Sequence, residues 1–97
     1  MSFNIIILEG TKIDVRESIN WYKNINTILS KRFANAFNNS IKKIKENPFQ
    51  YQIRYDDVRI ILLKTFPYLV HFSVDNDKIV IKAVLHTSRN SKINKLF

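Results

Sequence analysis

Residues 58–86 read VRIILLKTFPYLVHFSVDNDKIVIKAVLH, and the punctuation of this stretch decides the fold. Val58 to Thr65 is a β-branched and aliphatic run. Phe66-Pro67 then turns the chain, because proline fixes φ and lacks a backbone donor. Tyr68 to Val74 is a second run, Asp75-Asn76-Asp77-Lys78 is a turn by composition, and Ile79 to His86 is a third run. Three strands joined by short turns make an antiparallel meander. A turn that pairs Val74 with Ile79 puts Tyr68, Val70, Phe72 and Val74 on the same side as Leu85, Ala83, Ile81 and Ile79. That side is apolar and should carry the helices. The opposite side collects Leu69, His71 and Ser73 with Val84, Lys82 and Val80, and His86 beyond them. It reads as a mixed, basic face, and function is expected there.

Working outward, Phe3 to Leu8 is a short strand ending before Gly10. Thr11 reads as a helix N-cap, with Asp14 three residues on in the manner of a capping box. The helix it opens runs to about Asn24, with Ile13, Ile19, Trp21, Tyr22 and Ile25 as apolar contacts. Asn26-Thr27 is a brief break. Leu29, Phe33, Ala36, Phe37, Ser40, Ile41 and Ile44 then recur at three- and four-residue steps, drawing the apolar stripe of a second helix. Asn47-Pro48 stops it, since the residue before proline avoids helical geometry. Phe49 to Asp57, rich in Tyr, Gln and Asp, is expected to be a loop. The fold class is α+β, one domain over 1–97. It comprises an N-terminal strand, an αα-hairpin and a three-stranded meander in one sheet, with the helices on one face. Residues 88–97 form a basic tail.

A chain of 97 residues with 45% hydrophobic content closes a single small core. The net charge of +8 points to an anionic partner, nucleic acid or an acidic protein. Five basic residues and no acid lie between Lys31 and Lys45, and again from Lys78 onward. Cysteine is absent, no run approaches a membrane span, and the N-terminus does not read as a signal peptide. The expected location is cytoplasmic, with no membrane partner. No metal-ligand cluster, paired carboxylates, phosphate loop or Ser/His/Asp set is visible, so no metal or cofactor is expected and most enzyme classes are disfavoured.

Four pieces of the chain together resemble the RelE/ParE toxins of type II toxin–antitoxin systems. They are Trp21-Tyr22, Glu46-Asn47-Pro48, the run Val58-Arg59, Leu62-Leu63, Phe66-Pro67-Tyr68, and Val84-Leu85-His86-Thr87-Ser88-Arg89. The match spans roughly residues 3 to 90. Each piece also has a structural reading: Trp21-Tyr22 as hairpin packing, Glu46-Asn47-Pro48 as a helix stop, Phe66-Pro67-Tyr68 as turn chemistry plus a buried ring.

The resemblance implies a toxin held inactive by a cognate antitoxin, acidic and partly disordered when free, with a homodimer or a toxin–antitoxin heterotetramer as implied assemblies. Two targets follow from it. ParE-type members poison DNA gyrase, whereas RelE-type members cleave mRNA on the ribosome. Leu62 and Leu69 stand where many RelE-type nucleases place a lysine and an arginine, and no Tyr follows Arg89, which favours the ParE-like branch. In the nuclease alternative, His71, His86, Lys82 and Arg89 would supply acid, base and cation from one face. Arg59, His86 and Arg89 are the candidate target-binding residues. Lys42, Lys43 and Lys45 are the candidate antitoxin-binding residues. A plain basic nucleic-acid-binding module is the third reading, disfavoured because no exposed aromatic ladder for base stacking is evident.

Overall fold

The computed structural model describes residues 3–88. In chain order the elements are β1 (Asn4–Ile7), α1 (Glu9–Ile25), α2 (Thr27–Glu46), a 3-10 turn (Pro48–Gln50), β2 (Ile53–Tyr55), β3 (Val58–Leu62), β4 (Tyr68–Asp75) and β5 (Lys78–His86). They form one five-stranded sheet in the order β1-β5-β4-β3-β2, with β1 parallel to β5 and every other pair antiparallel. The α+β class, the hairpin and the meander stand as expected. The stretch expected to be a loop contains an additional strand, β2. It is only three residues long and pairs irregularly with β3, which is why its composition reads as loop.

The helices meet through one residue. Asn26 closes α1 with its N–H on the Tyr22 carbonyl, and its side chain accepts from the Ile28 N–H at 2.8 Å to open α2. The buried stripe of α2 is Ser30, Phe33, Phe37, Ser40 and Ile44. Phe33, Phe37 and Ile44 pack on Val70, Phe72, Ile79, Ile81 and Val84 of the sheet. Full burial of such side chains contributes about 1.5–3 kcal/mol each.

α1 differs from its reading in two ways. It begins at Glu9, and Leu8 at its N-cap makes no side-chain hydrogen bond. Thr11 is instead fully buried, its hydroxyl donating to the Ile81 carbonyl at 2.9 Å, and Asp14 accepts from the Val84 N–H at 3.4 Å. The reason is the short β1, which pairs β5 only as far as Ile81. Beyond that point β5 has backbone groups in need of partners, and side chains of α1 supply them. The apolar contacts from α1 are Val15, Ile19 and Tyr22, whereas Ile13, Trp21 and Ile25 are exposed.

The meander carries the most consequential departure. Val74 pairs with Ile79 as the turn composition requires. Yet His71 lies opposite Ala83 while Phe72 lies opposite Ile81, so Lys82 is an extra residue bulged out of β5. The bulge reverses the alternation after it. Val84 joins the core and His86 lies opposite Tyr68 on the helix side, while Ala83 and Leu85 turn outward beside His71 and Leu69. The outer face consequently gains Ala83 and Leu85 and loses Val84 and His86. Its residues include Ile6 and Leu62, both exposed, with Ile60, Leu69 and Val80 half-buried.

Candidate functional site

Three of the pieces that stand apart along the chain, Trp21-Tyr22, Phe66-Pro67-Tyr68 and the end of β5, converge at one end of the domain. Tyr22 packs against Phe33, Phe66 and Tyr68 with ring centroids 5.5, 5.1 and 6.1 Å away. Tyr68 in turn meets the His86 ring edge-on at 5.1 Å. The Thr87 N–H donates to the Pro67 carbonyl at 2.9 Å, tying the end of β5 to the turn before β4. Edge-to-face pairs of this kind add roughly 0.5–1.5 kcal/mol beyond burial.

On this aromatic base rests a cleft of about 240 Å³ between α1 and the last residues of β5, lined by Asp14, Glu17, Ser18, Trp21, Tyr68 and Val84 to His86. Trp21 is 51% exposed, so it walls the cleft rather than filling the hairpin core. The Asp14 carboxyl is raised above the ordinary aspartate value. Loss of water is the main cause, opposed by the Val84 N–H and reinforced by the Glu17 charge. Nδ1 of His86 accepts from the Ser88 N–H at 3.0 Å, which leaves the ring proton on Nε2. The cleft thus presents an indole face, an imidazole edge and two carboxyls in a strongly basic protein. Arg89, the next residue along the chain, lies outside the described residues.

The other expected site residues are dispersed. His71 is completely buried on the far side of the sheet, its Nδ1 2.8 Å from the Tyr55 hydroxyl and its Nε2 without a partner. Burial pushes its pKa down, so the ring is neutral at ordinary pH. Lys82 projects from the bulge towards Asp57 at 3.8 Å. Arg59 donates to the Tyr51 carbonyl at 2.5 Å and lies 5.2 Å over the Phe49 ring, clamping the 3-10 turn to β3. It faces Phe72, four residues along β4 from the Tyr68–His86 pair, about 13 Å away at strand rise. Lys42, Lys43 and Lys45 are all exposed on α2. Lys42 and Lys43 line a separate groove facing Lys64 and Thr65, and Lys45 does not.

Sequence reasoning passed over Asp14, Glu17, Ser18 and Tyr55 as site residues. A signal existed for Trp21: the α1 stripe Thr11, Val15, Ser18, Ile19, Tyr22 follows the helical period and leaves Trp21 off it. Nothing in the sequence marks Tyr55, whose role depends on a three-residue strand. Among the described residues, no group of His, Asp and Glu is arranged to hold a metal ion, and no helix is long and apolar enough to cross a membrane.

A parallel β1–β5 pair and a helical hairpin on one sheet face, with this cleft at one end, make up a small α+β domain. Residues 5–91 match the family described as the ParE toxin of type II toxin–antitoxin systems, and the chain belongs to that family. The fold is also that of a solved structure described as the chromosomal ParDE toxin–antitoxin system from P. aeruginosa. The TM-score is 0.77 at 15% identity, over 88% of this chain and 96% of that one. No curated protein matches the sequence.

Proposed function

We propose that this ParE-family toxin acts by poisoning DNA gyrase and is neutralised by a cognate acidic antitoxin. The observation that carries this reading over mRNA cleavage is the division of the nuclease candidates by the sheet. RNA cleavage requires an acid, a base and a cation around one phosphate. His71 is buried on the outer side, His86 stands on the inner side, and Lys82 is directed at Asp57. The outer face that a message would have to lie on exposes Leu62 and Ile6, and its Lys82 is paired with Asp57.

In this reading the cleft of Trp21 and His86, with Arg89 beyond it, engages the target. Arg59 acts indirectly, by fixing the 3-10 turn against the sheet. The antitoxin, acidic and partly disordered when free, folds onto the toxin and is drawn to Lys42, Lys43 and Lys45.

Controlled induction in bacteria tests the reading. Gyrase poisoning predicts DNA-damage signalling, loss of supercoiling by purified gyrase, and rescue by the antitoxin encoded next to the toxin. Immediate translation arrest with cuts in ribosome-bound mRNA would refute it.

A further inference from the structure

α2 has a second organised side besides its core stripe. Arg32, Asn35, Ala36, Asn39, Lys42 and Lys43 recur at helical spacing and stand together along about three turns. Facing them are Lys64 and Thr65 from the connection between β3 and β4, and the two walls enclose a groove of about 520 Å³. Four cations and three neutral hydrogen-bonding side chains line it, with no carboxylate. Neither ion pair found among the described residues, Lys12–Glu9 or Lys82–Asp57, involves any of them.

An independent feature marks the same place. Thr65 has φ 66°, in the left-handed region that a β-branched residue rarely adopts. The turn is held there from both sides. The Leu63 N–H donates to the Tyr68 carbonyl at 2.9 Å, the Tyr68 N–H donates to the Phe66 carbonyl at 2.8 Å, and Leu63 and Phe66 are buried. Backbone strain persists only where its surroundings over-determine it, and it concentrates at ligand clamps. Here it sets Lys64 and Thr65 on the lip of the groove.

We propose that this groove binds the phosphodiester backbone of duplex DNA. Lysine, arginine, asparagine and threonine are the side chains that contact phosphate oxygens without reading sequence. A peptide that folds on binding needs apolar anchors, and Ala36 is the one apolar residue in the lining, so an antitoxin drawn to Lys42 and Lys43 shares these charges but takes its anchors elsewhere. A single strand needs aromatic platforms for its bases, and the groove has none. A duplex asks for neither, because its outer surface is phosphate. The site is separate from the Trp21–His86 cleft, and its test does not depend on what the toxin poisons.

The test is fluorescence anisotropy of purified toxin with a short labelled DNA duplex across a salt series. If the four cations each neutralise one phosphate, affinity falls roughly 150-fold between 50 and 200 mM salt, a log–log slope of about −3.6. Lys43→Ala and Lys64→Ala should each reduce that slope by about 1, equally for unrelated sequences. Lys12→Ala and Lys23→Ala, outside the groove, should leave the slope unchanged. All four positions are exposed, and melting curves verify that the variants fold. The proposal is overturned if the groove variants titrate like wild type, if the outside variants lose as much, or if labelled single-stranded RNA binds more tightly than the duplex.

Discussion

The Tyr55 hydroxyl meets Nδ1 of His71 at 2.8 Å, across the seam where the short edge strand β2 folds over the sheet. The partner nitrogen Nε2 is buried and unpaired, so this one hydrogen bond is all that compensates a polar ring with no solvent exposure. Tyr55→Phe removes it and should cost about 1–3 kcal/mol, the penalty for leaving a buried polar atom unsatisfied. Urea denaturation at neutral pH measures it; an unchanged midpoint would show that β2 holds without its latch.

The same pair makes stability depend on pH. Burial depresses the His71 pKa in the folded protein, while the unfolded chain takes up its proton near pH 6.5. Below that point the unfolded state binds more protons than the folded one, so stability falls as the pH drops. His71→Phe should lose this part of the acid sensitivity. Urea midpoints compared between about pH 7 and pH 5 decide the matter, and parallel curves for the two proteins would contradict it.

Where β1 ends, Thr11 and Asp14 serve the backbone of β5, and the two should respond differently to substitution. Thr11→Val keeps the shape and removes a hydrogen bond to the Ile81 carbonyl, which still accepts from the Leu8 N–H. The expected loss is about 1 kcal/mol. Asp14 has a carboxyl raised above its ordinary value, so its charged form is disfavoured by folding, and that cost grows as pH rises through the folded value. Asp14→Asn can still accept from Val84 and carries no charge. It should be more stable than wild type at neutral pH and indistinguishable from it in acid, as thermal melts at both pH values will show.

Deleting Lys82 would remove the extra residue and leave Ala83, Val84, Leu85 and His86 opposite His71, Val70, Leu69 and Tyr68, as they now stand. Core and faces are kept, so the cost should stay below that of a large core truncation, about 3 kcal/mol. Lys82→Ala, which keeps the extra residue, should change stability by no more than about 0.5 kcal/mol, since it loses only an exposed ion pair with Asp57. A deletion variant that loses as much as a large core truncation would refute the assignment of the extra residue to Lys82.

For function, Trp21→Ala, His86→Ala and Arg89→Ala should abolish growth inhibition while antitoxin binding survives. Trp21→Ala should also leave the melting temperature nearly unchanged, because the indole is half exposed. Arg59→Ala is the contrasting case: by releasing the Tyr51 carbonyl and the Phe49 ring it should lower the melting temperature and weaken toxicity in proportion. Plating assays paired with melting curves separate the two kinds of loss. Full toxicity in the Trp21→Ala, His86→Ala double variant would move the site elsewhere.

The meander, the hairpin and the register at Val74–Ile79 were legible because turn composition and hydrophobic period are local signals. Three features were not. β2 is too short to draw a period, and its Tyr55 matters only through His71, 16 positions on. Thr11 and Asp14 imitate a capping box, yet their partners lie 70 residues away. The bulge at Lys82 has no glycine or proline to announce it, and one inserted residue was enough to exchange the faces of Val84 and His86. Long-range backbone demand decided each of these, and no window of sequence contains it.

β5 has β1 on one flank and β4 on the other, although it comes last of the five described strands along the chain. Asn4 must therefore wait for Lys78, and Ile7 for Ile81, before the first strand has anything to lie against. Pairings this distant in sequence form late and slowly. A nascent chain that stops short of Ile81 lacks the β5 wall of the cleft, the His86 ring against Tyr68 and the acceptor for Thr11. If the cleft is where the target binds, unfinished copies, whether stalled on the ribosome or broken by proteolysis, are inert, and potency arrives in a single step with β5.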